Sequence, residues 1–73
     1  MRKFTITVGR STATFRFGDD FTDGENRFCW TLQGLDKLIG LGLWKREFDR
    51  RGNLKSKPPT VEAMARGQLG TDG

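Results

Sequence analysis

The chain has 73 residues, 34% of them hydrophobic, and a formal net charge of +4. That is one small domain, and below about 80 residues a single core rarely supplies more than about 3–5 kcal/mol. With no histidine and one cysteine, Cys29, the composition excludes an imidazole general base, a histidine metal ligand, an internal disulfide and a cysteine-rich zinc site.

The hydrophobic residues are unevenly placed. Residues 1–54 hold all six phenylalanines and both tryptophans, whereas 55–73 offer only Val61, Ala63, Met64, Ala65 and Leu69. This divides the chain into a folded unit, 1–55, and a disordered tail, 56–73. No stretch approaches the roughly 18–20 apolar residues of a membrane span. The opening MRKFTITV is basic and then alternates, without the apolar run of a secretory signal. A monomeric protein of a reducing cytoplasm, with no membrane partner, is the expectation.

The first element is the clearest. Phe4, Ile6 and Val8 alternate with Lys3, Thr5 and Thr7, and Ala13, Phe15 and Phe17 alternate with Thr12, Thr14 and Arg16. Both runs have period two and are rich in β-formers. With Gly9-Arg10-Ser11 as turn material, they predict an antiparallel hairpin over 3–8 and 12–17. Residues 18–26 (GDDFTDGEN) read as a loop in which Phe21 folds back onto the core. RFCW, 27–30, reads as a short strand or as the approach to a helix.

Leu32, Leu35, Leu38 and Ile39 then recur at helical spacing. Thr31 is positioned to cap a helix over 32–39, and Gly40 to end it with Leu41 as the following apolar contact. Gly34 inside that helix costs about 1 kcal/mol relative to alanine. After Gly42 the alternation returns, predicting a strand over 43–48, a turn at 49–53 and an edge strand over 54–56. Pro58-Pro59 ends regular structure, and Thr60–Arg66 is too short to hold a helix by itself in water. The whole pattern is α+β: a small antiparallel sheet of three to four strands, one short packing helix and a disordered carboxy-terminal tail.

Several clusters invite a functional reading. Asp19, Asp20, Asp23 and Glu25 resemble part of a calcium loop but lack its frame and its last ligand, and so read as a solvated acidic loop. Gly34, Gly40 and Gly42 fit helix termination and match no phosphate loop. Cys29, between Phe28 and Trp30, reads as a small buried hydrophobe. Phe4, Phe15, Phe17 and Phe28 fit the core, while Trp30 and Trp44 suit either core or surface. No acid–base pair is legible, so the chain does not read as an enzyme, and no cofactor or metal is implied.

The stretch WKREFDRRGNLKSK is the most functional in character. Residues 45–57 carry Lys45, Arg46, Arg50, Arg51, Lys55 and Lys57 against Glu47 and Asp49. Arginines on a hairpin contact phosphates or clamp carboxylates. Arg10, Lys45, Arg46, Arg50 and Arg51 are the candidate electrostatic contacts to a partner, with Trp44 as aromatic anchor. A nucleic-acid-binding module using the same stretch and an inhibitor of another host protein complex are the alternatives.

Taken with MRKFTITVGR and LWKREFDRRGNL, the short basic β-rich body and Pro-Pro tail resemble the small RNA-polymerase-binding transcription regulators of Xanthomonas-infecting bacteriophages. The resemblance implies a host-takeover protein that binds the β′ subunit of host bacterial RNA polymerase. The implied site is the amino-terminal region of β′, near the RNA exit channel and nascent RNA. It further implies inhibition of sigma-dependent initiation, sigma displacement and transcription antitermination.

Overall fold

The computed structural model describes residues 2–67. Two antiparallel hairpins come first: β1 (Lys3–Val8) with β2 (Ser11–Arg16), and β3 (Phe21–Asp23) with β4 (Phe28–Trp30). Helix α1 (Leu32–Gly40) follows, then an extended basic loop, then a second helix, α2 (Val61–Gly67). The fold is α+β, as the sequence pattern predicts. Its four strands form two two-stranded sheets, joined by a single parallel bridge, Phe17 to Phe21.

The first hairpin follows from alternation and from its turn. Val8 faces Ser11 across the two-residue turn Gly9-Arg10, with Gly9 at φ 60°. Positive φ at the first central residue belongs to a turn whose twist suits a hairpin, and glycine takes it without strain. Phe4, Ile6 and Phe15 turn inward and are buried. The second hairpin lies partly inside the segment that reads as loop. Three residues per strand are too few for alternation to show, and pairing of Phe21 with Trp30 fixes it instead. Phe21 is buried, as its sequence context suggests.

The core is largely aromatic. Phe4 stacks on Phe15 at 5.3 Å and tilts against Phe21 at 5.5 Å, and Trp30 meets Phe15 edge-on at 5.3 Å. Phe28 meets Phe21 at 5.5 Å. Such pairs add about 0.5–1.5 kcal/mol each beyond burial. Phe17 is 37% exposed, not core; it lies at the end of the first hairpin and covers Phe21 and Phe28 edge-on.

Asp20 is the largest departure from the expected solvated acidic loop. It is fully buried. Its Oδ2 accepts from the Arg16 N–H at 2.7 Å and from Lys37 Nζ at 2.9 Å, and its Oδ1 from Gln33 at 2.8 Å. Its carbonyl accepts the Thr31 N–H at 3.0 Å. Burial pushes the carboxyl up, but the Lys37 and Arg16 hydrogen bonds, then Gln33 and the Lys37 charge, outweigh it. The net effect holds Asp20 below its ordinary value.

Helix α1 packs at Gly34, which is buried. A methyl group there would meet the Asp20 carbonyl and lie 2.9 Å from the Trp30 ring. Gly34 therefore serves close approach, not termination. Thr31 caps the helix as expected, accepting from the Gly34 N–H at 3.2 Å. Gly40 is the last helical residue, and the left-handed position comes two residues after it. Gly42, at φ 76°, takes the left-handed position; its N–H donates to Ile39 and that of Leu43 to Leu38, the paired bonds of a Schellman ending.

The region 43–48 is not a strand. Trp44 turns into the core at 7% exposure, leaving one bridging pair, Phe48 with Leu54. Residues 56–67 are not a disordered tail. The two indole N–H groups hold them: Trp44 donates to the Ser56 carbonyl at 3.2 Å and Trp30 to the Pro59 carbonyl at 2.6 Å. Val61 is fully buried, and Glu62 accepts the Phe28 N–H at 3.0 Å. Tertiary docking stabilises a helix too short to persist alone. The rest of the expected tail, 68–73, lies outside the described residues.

Cys29 is exposed, not buried. Alternation along β4 puts Phe28 and Trp30 on the inner face and Cys29 on the outer one.

Two outcomes follow. Asp20→Asn lowers stability by about 1–3 kcal/mol at neutral pH, since a charge-assisted acceptor for a buried N–H and an ammonium is lost. A carboxyl with a lowered folded pKa stabilises above its unfolded value, and that contribution disappears as pH falls through the folded value. The gap between wild type and variant in urea denaturation is therefore full above about pH 5 and closes in more acid solution. Truncation after Ser56 removes Val61, the Glu62 carboxylate and the Pro59 acceptor together, and is expected to abolish the cooperative unfolding transition.

Candidate functional site

The basic segment forms a loop leaving the core at Trp44 and returning at Ser56. Asp49 organises its tip. One carboxylate oxygen, Oδ1, accepts from the Arg51 N–H at 2.8 Å and the Asn53 N–H at 3.0 Å. The Asp49 N–H donates to the Asn53 carbonyl at 2.8 Å, and Gly52 takes φ 85° to close the turn. Below the tip, the Lys55 N–H donates to the Glu47 carbonyl at 2.8 Å. The turn expected at 49–53 is present, on a rudimentary ladder.

The sequence-predicted contact residues separate into three groups. Trp44 is buried and cannot anchor a partner. Its position at the head of a charged stretch hides the fact that its indole is needed inside, where it supports Ser56. Arg46 is exposed but engaged: its guanidinium lies 5.9 Å from the Trp44 ring centre and 3.5 Å from Asp36 Oδ1. It ties the base of the loop to α1. Lys45, Arg50 and Arg51 are exposed on the loop, and Arg10 at the first hairpin's tip. Among the described residues the ion pairs are Lys37–Asp20 and Arg46–Asp36. Lys45, Arg50, Arg51, Lys55 and Lys57 therefore have no acid partner there.

Two apolar residues of this surface escape the sequence reading. Phe48 is 55% and Leu54 42% exposed, facing each other across the bridge. Alternation groups Phe48 with Trp44 and so suggests a shared fate. The signal that separates them is distance from the core: only Trp44 lies near the helix end. The site is thus a pair of open apolar side chains on a loop segment that also carries five exposed cations.

Glu62, in the first turn of α2, is held below its ordinary value, chiefly by the Phe28 N–H and then by its own backbone N–H. It is committed to holding α2 against β4. Among the described residues no group of three or more His, Cys, Asp or Glu side chains converges as a metal site would, and no helix is long and apolar enough to cross a membrane.

No protein-family model, no curated protein and no solved structure matches the chain.

Asp49→Ala removes the shared acceptor of two backbone N–H groups. The expected result is faster amide hydrogen exchange at Arg51 and Asn53, by about tenfold for a loss near 1.4 kcal/mol, with core amides unchanged.

Proposed function

We propose that the protein is a non-catalytic regulator that docks on host bacterial RNA polymerase through the 45–57 loop. The proposed site is the amino-terminal region of the β′ subunit, near the RNA exit channel. Binding there would inhibit sigma-dependent initiation, displace sigma and promote antitermination, in the host cytoplasm. The partner comes from the resemblance carried by MRKFTITVGR and LWKREFDRRGNL.

The docking surface rests on one observation: Phe48 and Leu54 stand open on a segment where five exposed cations lack acid partners in the described residues. Apolar side chains at the centre and charge at the rim are the usual anatomy of a protein interface. The free cations favour an acidic partner face and speed encounter with it. Arg50 and Arg51, at the tip, are the leading electrostatic contacts, with Phe48 replacing Trp44 as the aromatic anchor.

Purified polymerase from a Xanthomonas host, and its isolated β′ amino-terminal fragment, provide the test. Wild-type protein is expected to bind both. Arg50→Ala/Arg51→Ala and Phe48→Ala are each expected to weaken binding by about tenfold or more, which is the scale of an interface hot spot. Absence of wild-type binding to the purified enzyme overturns the reading.

A further inference from the structure

The outer face of the first hairpin has no role in the docking site above. Its side chains are Lys3, Thr5 and Thr7 from β1 and Thr12, Thr14 and Arg16 from β2. All are exposed except Thr14, which is half-buried. They form rungs: Lys3 opposite Arg16, Thr5 opposite Thr14, Thr7 opposite Thr12. The hydroxyls of each threonine rung lie 3.2 Å apart. Arg10 stands at the tip beyond the last rung.

The Lys3–Arg16 rung is the telling one. Like charges directly opposite each other on neighbouring strands destabilise the pair. Neither has an acid partner among the described residues, and Asp19, three residues beyond Arg16, makes no ion pair with it. The face carries no acid at all. An anion placed over this rung would relieve the repulsion.

The rest of the face extends that site into a track. Rungs repeat every two residues, roughly 6.8 Å apart, so the strip from Lys3–Arg16 to Arg10 is about 20 Å long. The rung repeat is comparable to the distance between successive phosphates in an extended nucleic-acid strand. Threonine hydroxyls and cations are the groups that contact phosphate and sugar. Two strands side by side make a strip one phosphodiester backbone wide, and no aromatic stands on it to read bases.

We propose that the outer face of the first hairpin is a track for the phosphodiester backbone of single-stranded nucleic acid, with Lys3 and Arg16 at one end, Arg10 at the other and threonine rungs between. Binding is weak, independent of base sequence and strongly salt-dependent. The track is independent of the polymerase reading, which uses the 45–57 loop.

The probe is a fluorescein-labelled oligouridylate about twelve nucleotides long, followed by anisotropy. Three neutralised phosphates give a slope of log affinity against log salt of about −2, or a loss of about 20-fold between roughly 50 and 200 mM salt. Lys3→Gln/Arg16→Gln is expected to reduce the slope to below about −1 in magnitude and the low-salt affinity at least about tenfold. Arg50→Ala/Arg51→Ala is expected to keep oligouridylate affinity within about threefold, since its cations lie off the track. On unmodified protein, the oligonucleotide is expected to shift the amide resonances of Thr5, Thr7, Thr12 and Thr14.

The proposal is overturned by absence of binding at low salt, or by loss of binding in the Arg50/Arg51 variant with retention in the Lys3/Arg16 variant. It is equally overturned by tighter binding of a duplex, or by a polyglutamate peptide that competes as well as the oligonucleotide. Unchanged polymerase binding by the Lys3/Arg16 variant would keep the two surfaces distinct.

Discussion

The Asp20–Lys37 ion pair is the interaction on which the rest of the structure depends. A hairpin closed by a two-residue turn alternates its hydrogen-bonded pairs, so the backbone groups of Thr14 and Arg16 point away from β1 toward an open sheet edge. Lys37 Nζ donates to the Thr14 carbonyl at 2.8 Å, and Asp20 accepts the Arg16 N–H. With the 2.9 Å contact between them, the two side chains close this edge as a third strand would. One residue comes from the loop and the other from α1. The same pair therefore fixes the helix against the hairpin and hides an edge that would otherwise recruit other chains. Half of this arrangement is backbone: the Asp20 carbonyl accepts Thr31, and Gly34 lets the helix come close enough for it.

The remaining constraint is size. A core of seven buried hydrophobic residues, among those described, leaves little margin for so small a domain. The molecule recruits its own carboxy-terminal segment to enlarge it. Ser56 and Pro59 are three residues apart, and Pro58-Pro59 biases the segment toward a polyproline conformation with three residues per turn. Carbonyls at that spacing point the same way. Two tryptophans donating to those two carbonyls thus grip one side of the strap, and Val61 enters the core just beyond.

How far the sequence discloses this follows from range. The first hairpin, Thr31 as cap and the burial of Phe21 are local or compositional facts, and all are readable. The α+β class follows from them. The left-handed position at Gly42 rather than Gly40 is a choice between two glycines two residues apart, which local pattern does not settle. The strap, the burial of Asp20 and the inward turn of Trp44 are long-range. Trp30 and Pro59 meet across 29 positions, and Asp20 and Lys37 across 17. An aspartate in a glycine-rich acidic run carries no mark of burial, and a lone apolar residue such as Val61 carries no period. Arg50 and Arg51 keep the exposed basic character the sequence suggests, but Phe48 as the open aromatic depends on knowing that Trp44 is occupied.

Net charge takes a different meaning once the acids are placed. Of the nine acidic residues, Asp20, Asp36, Asp49 and Glu62 are tied to structural work. They close an edge, hold Arg46, shape a turn and fasten α2. Two of those ties, at Asp49 and Glu62, are hydrogen bonds to backbone N–H groups and not ion pairs. By contrast only Lys37 and Arg46, among the described residues, give up their charge to an ion pair. The other cations on the 45–57 loop and those on the outer face of the first hairpin stay available to a partner. The fold thus spends carboxylates on its own stability and leaves positive charge outward. A formal balance of +4 understates what an approaching anion meets on either surface.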